Sequence, residues 1–95
     1  MDTIIIVKAA VEAADSAKIQ RGTPAYLAAI GLYSYLLQFG CPDYYSEVAC
    51  GRVEEFFGIS HEDMLSALDG MIAARFVKGR TDPKTGVPEF ALDYE

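Results

Sequence analysis

The 95-residue chain holds one histidine, His61, two cysteines, Cys41 and Cys50, and no Cys-x-x-Cys pair. A structural zinc site needs four cysteine or histidine ligands at short spacings, so this inventory supports no metal. The eight glycines occur singly, which removes the Gly-rich loop that would cradle a phosphate. No serine or cysteine is placed to act as a nucleophile. Glu62 and Asp63 follow His61 directly, and adjacent residues of a helix point in different directions. No catalytic residue and no cofactor is therefore assigned, and the expectation is a protein that is not an enzyme. The opening Met-Asp-Thr-Ile-Ile-Ile-Val has no basic leader of a secretory signal, and the two cysteines read as reduced, partly buried apolar residues of a cytoplasmic protein.

Basic residues are also scarce, 8 against 14 acidic, for a net charge of −6. Arg75, Lys78, Arg80 and Lys84 crowd into one short stretch, and Lys8, Lys18, Arg21 and Arg52 are the only others. The body is acidic, with one basic tip. Such a body repels nucleic-acid phosphates and anionic membranes everywhere except at that tip. Between Gly22 and Pro42 there is no charge at all, but the helical part, 24–39, is shorter than a membrane span and contains Gly31, Ser34 and Gln38. Hydrophobic residues form 52% of the chain, while a chain this short buries only roughly 60 to 65% of its surface. Self-association is expected from that excess.

Asp2 or Thr3 offers a cap for a first helix reaching to about Ile19, with Ile4, Val7, Val11 and Ala14 recurring on one face. The β-branched run Thr3 to Ile6 equally suits a short strand. Gln20-Arg21-Gly22 ends this element. Thr23-Pro24 starts a second helix, which runs to Gly40 and is apolar nearly all round. That pattern reads first as a central core helix, and its stripe of Tyr26, Ile30, Tyr33 and Leu37 is, as the alternative, a candidate dimer face. After the Cys41-Pro42-Asp43 break, Asp43 or Ser46 caps a third helix whose inner residues are Val48, Val53, Phe56 and Phe57. Gly58 closes it, and Ser60 with Asp63 opens a fourth. There Met64, Leu65, Leu68, Met71 and Ile72 face inward, and His61, Glu62, Ser66, Asp69 and Ala73 face solvent. Beyond Arg75 the period falls to two. Phe90, Leu92 and Tyr94 alternate with Glu89, Ala91, Asp93 and Glu95, paired with Phe76 to Arg80 across a Thr81–Gly86 turn.

The stretch from about 45 to 94, with its Phe-Phe-Gly-Ile-Ser turn, the apolar register Met64, Leu68, Met71, the Phe76-Val77 start of the hairpin and the Asp-Pro-Lys-Thr-Gly tip, resembles a winged helix-turn-helix domain. The resemblance implies a mainly α fold with a C-terminal β-hairpin in one domain. A helical pair at 1–40 precedes a helix-turn-helix at 43–74 and a wing at 75–95. It also implies DNA binding, with the helix after the turn in the major groove and the wing on the backbone. The residues oppose the first half of that implication. A groove-reading helix needs donors and cations, whereas this one presents His61, Glu62, Asp63, Ser66 and Asp69. Each like-charge encounter costs about 1 kcal/mol even when screened by water. Three functions follow. The first is a regulatory, dimeric protein-interaction module using the face His61, Glu62, Ser66 and Asp69. The second is a DNA-binding regulator with weak backbone contacts from Arg75, Lys78, Arg80 and Lys84. The third is a small acidic inhibitor, of the kind phages encode, that occupies the channel of a nucleic-acid-binding protein.

Overall fold

Thr23 starts the helix on which the fold is built. Its Oγ1 accepts the Tyr26 amide at 3.2 Å and donates to the Gln20 carbonyl at 2.7 Å, and Pro24 then occupies the first helical position, where no amide is needed. The computed structural model describes residues 3–39 and 44–93. In chain order these form α1 (Thr3–Ser16), α2 (Pro24–Phe39), α3 (Ala49–Phe57), α4 (His61–Ala73), β1 (Val77–Thr81) and β2 (Pro88–Leu92). Helices α1, α3 and α4 and strand β2 all pack on α2, whose Ala28, Ala29, Leu32 and Leu36 are buried. The chain is mainly helical with a C-terminal antiparallel hairpin, laid out as a winged-helix-like domain. Among the described residues no helix is long and apolar enough to cross a membrane.

The first segment is a helix, not a strand, but its buried face is Ile6, Ala10, Ala13 and Ala14. Of the expected stripe only Ala14 is inside; Val11 is half-buried, and Ile4 and Val7 lie on the surface. Alanines let two helix backbones approach closely, and the larger side chains at 4, 7 and 11 turn to the flank. The helix also stops before Ile19. Lys18 adopts a left-handed φ of 61°, and the Ile19 and Lys18 amides bond back to the carbonyls of Ala14 and Asp15. Asp2 lies outside the described residues.

Helix α3 begins at Ala49 without a side-chain cap; the Ser46 hydroxyl accepts the amide of Val48, before the helix starts, and Asp43 lies outside the described residues. Of its four expected inner residues only Val53 is buried, joined by Ala49. Val48, Phe56 and Phe57 are exposed, Phe56 at 83%. The cause is the close approach of α3 to Gly31 of α2, where a Cβ would stand 2.7 Å from the Phe57 ring and 3.0 Å from Val53 Cγ1. Phe57 leans on that hollow with one edge, and Phe56 is carried round to the outside.

Gly58 closes α3 at φ 65°, and Ser60 opens α4 by accepting the Asp63 amide at 3.1 Å. Met64, Ala67, Leu68 and Met71 are buried, whereas Leu65 and Ile72, expected inside, sit exposed on the flanks because Ala67 takes the inward position. The strands pair Val77 with Leu92, Gly79 with Phe90 and Thr81 with Pro88, so β1 starts one residue later than expected. Ser46 makes two backbone hydrogen bonds with Phe90 on the other edge of β2. That added pairing corrects the one-wet-face reading of β2: Glu89 and Ala91 are buried, as is Leu92. Tyr94 and Glu95 lie outside the described residues.

Asp15 fastens the end of α1 to the start of α2. Its carboxylate accepts both Arg21 Nε, at 3.0 Å, and a terminal Arg21 nitrogen, and it accepts the Tyr26 hydroxyl at 2.9 Å. Arg21, and after it Tyr26, hold the Asp15 carboxyl below the usual carboxylate range. A group with a depressed folded-state pKa stabilises the fold above its unfolded value of about 3.9 and ceases to do so as pH falls through the folded value. Asp15→Asn is therefore expected to lower the melting temperature at pH 7. The gap from the native chain, followed by circular dichroism, should close below about pH 4. A gap unchanged at about pH 2 would contradict this assignment.

Candidate functional site

Three surfaces carry the residues singled out by sequence. On α4, His61, Glu62, Ser66 and Asp69 are all exposed. They share the helix with Asp63, which is partly turned in toward its cap. His61 Nδ1 stands 3.2 Å from Glu54 Oε2 on α3, so the two helices of the turn are also joined by a polar contact on the outside. Glu62 and Asp63 in the first turn complement the positive end of the helix dipole. The result is an acidic helix face.

The wing brings together a group that sequence did not signal. Arg80 Nε donates to Oε1 of the buried Glu89, and its guanidinium lies 3.8 Å above the Tyr45 ring, with Lys78 Nζ 5.7 Å from the same ring. The Glu89 carboxylate beside it raises the Arg80 pKa further. Arg80, a candidate backbone contact, is thus occupied in neutralising a buried carboxylate. Arg75 and Lys84 are exposed, and Arg75 holds a left-handed φ of 65° as it ends α4. Carboxylate oxygens of Glu47, Asp82 and Glu89 lie within 4.8 Å of one another, close enough for one cation. Glu89 is already bound by Arg80, and Asp82 accepts the Lys84 amide at 2.8 Å. Metal assignment from cysteine and histidine alone misses such an all-oxygen cluster.

The third surface is a cleft of about 630 Å³ between α1, α2 and α3, walled by Val7, Ile30, Tyr35, Val53, Phe56 and Phe57, with Gly31 at its back. The Ser34 hydroxyl beside it is buried and finds no hydrogen-bond partner among the described residues. Arg52 and Glu55 stand at its rim, both exposed. Of the stripe expected as a dimer face, Tyr26, Ile30, Tyr33 and Leu37 are half-buried and packed against the core. Tyr33 meets Phe76 edge to face at 6.0 Å, Tyr26 is held by Asp15, and Ile30 reaches the cleft. Among the exposed apolar residues are Ile4, Ile5 and Val7 of α1 and Phe56 of α3, with Leu27, Val48, Leu65, Ile72 and Val87 scattered elsewhere. Cys50 is half-buried, and burial, with Glu54 adding to it, pushes its thiol up to about 11, so it stays protonated at neutral pH. Cys41 lies outside the described residues.

Arg80→Ala strands the Glu89 carboxylate in a buried position and is expected to lower the melting temperature by several degrees, while Lys84→Ala changes it by about a degree or less. Equal, small effects in thermal melts would show that Arg80 is free. No family model matches this chain, and no curated protein and no solved structure was found to be similar to it.

Proposed function

We propose that this chain is a non-enzymatic, winged-helix-like protein-interaction module that works in the cytoplasm as a regulator. The observation that carries the reading is the disposition of charge on the fold. The helix that would enter a DNA groove exposes Glu62 and Asp69 beside His61 and Ser66, and the arginine best placed on the hairpin is held by Glu89 and Tyr45. Inserting that helix between phosphates sets carboxylates against a polyanion, with no donor fork to read a base edge. A basic surface on another protein is its natural complement.

The opposing reading is a DNA-binding regulator that uses the exposed Arg75 and Lys84 of the wing. Fluorescence anisotropy with a mixed-sequence duplex at low salt separates the two. Our reading expects no saturable binding up to tens of micromolar protein, a level at which even nonspecific DNA binders respond at low salt. Micromolar binding that is lost in the Arg75→Gly/Lys84→Ala double variant would overturn it. Glycine suits the left-handed position of Arg75, so this variant keeps its helix end.

A further inference from the structure

We propose that the cleft between α1, α2 and α3 seats a second copy of this chain, across a two-fold axis at the cleft mouth, with Phe56 of each copy entering the cleft of the other. This rests on the protein-interaction reading and names one partner for it, on a surface separate from the acidic face of α4.

Phe56 is 83% exposed, the barest large apolar side chain among the described residues, and it also forms one lip of the cleft. A protruding ring beside a hole of its own kind is what a two-fold interface requires, because that symmetry sets each knob opposite its partner's hole. The α1 helix extends the same surface. One of its apolar faces, Ile6 with three alanines, is buried, while the side chains of Ile4 and Val7, one turn apart, are exposed on a second face, with Val7 in the cleft wall. A helix that is apolar on more of its circumference than its own domain covers needs a further neighbour.

The rim charges select what that neighbour is. Arg52 and Glu55 lie three residues apart on α3, are both exposed at the cleft, and make no ion pair among the described residues. A two-fold axis between them pairs Arg52 with the partner's Glu55, twice. One cation and one anion make the rim neutral, so two copies that each carry −6 can approach one another there. A strongly charged foreign partner of either sign would meet one mismatched rim residue. Ile4, Val7, Phe56 and Phe57 expose on the order of 400 Å², and with the cleft walls and rim added the face falls at the small end of interfaces, below the roughly 800 Å² per partner of a standard one. The expected dimer is modest, with a Kd on the order of micromolar.

Sedimentation velocity on the full chain, from about 1 µM to about 1 mM, tests this directly. The native chain should pass from one to two copies over that range, and Phe56→Asp, a surface change that leaves the circular dichroism intact, should remain single throughout. Arg52→Glu and Glu55→Arg should each weaken association at least about tenfold, and the two combined should restore it, since the exchange rebuilds both pairs. A native chain that stays single at the highest concentration overturns the proposal. So does a dimer that survives Phe56→Asp, or a combined variant no better than its parents. Because DNA titration reads the wing alone, a single-copy chain that ignores DNA defeats this inference and spares the functional reading. A dimer whose DNA binding needs Arg75 and Lys84 does the reverse.

Discussion

An uncharged helix must be covered on nearly every side, and the rest of this molecule is arranged around that requirement. From Gly22 to Pro42 the chain carries no charge, and the core residues of α2, Ala28, Ala29, Leu32 and Leu36, sit at the meeting point of α1, α3, α4 and β2. Each neighbour meets α2 through small or flexible groups. On α1 these are alanines, α3 comes in against Gly31, and α4 contributes the fully buried Met64 and Met71, whose unbranched side chains fill irregular space. Where small groups make the contact, large ones are displaced to the flanks. Val7, Phe56 and Ile72 are exposed for this reason, and two of them wall the cleft.

Helix ends show the same economy in a different form. Helices α1, α3 and α4 each close with a left-handed residue whose successor's amide reaches back to a carbonyl in the last turn. The residues are Lys18, Gly58 and Arg75. Glycine takes this conformation without strain; a lysine or arginine bears some strain but places a cation at the negative end of the helix dipole. Arg75 thus ends α4 and begins the wing at once. The basic tip of the chain is largely structural, with Arg80 set against Glu89 and Tyr45.

What could be read from sequence follows from which signals are local. The Gly58-Ile59-Ser60 turn, the Thr23-Pro24 start and the positive φ at Gly86 depend on a few neighbouring residues and were legible. So were α2, α3, α4 and the hairpin, whereas the β-branched start of α1 suited a helix or a strand. The end of α1 was not, because its signal is a lysine in a conformation expected of glycine. The inner faces of α1 and α3 were misassigned, since periodicity favours the largest apolar residues and cannot see that alanine and glycine define the helix contacts. The burial of Glu89 and Ala91 depends on Ser46, more than forty positions away, pairing with Phe90, and nothing local announces it. The acidic face of α4 was legible because solvent exposure at the start of a capped helix is itself a local property; the cleft, made by three helices, was not.

If the other elements depend on α2 for their cover, native-state hydrogen exchange will show it. The amides of Leu32 and Leu36 should exchange only through global unfolding, with protection free energies equal to the stability measured by denaturant, while α1 and the hairpin open at lower cost. If α2 exchanges through a smaller opening while α4 and the hairpin remain protected, the fold rests on another element.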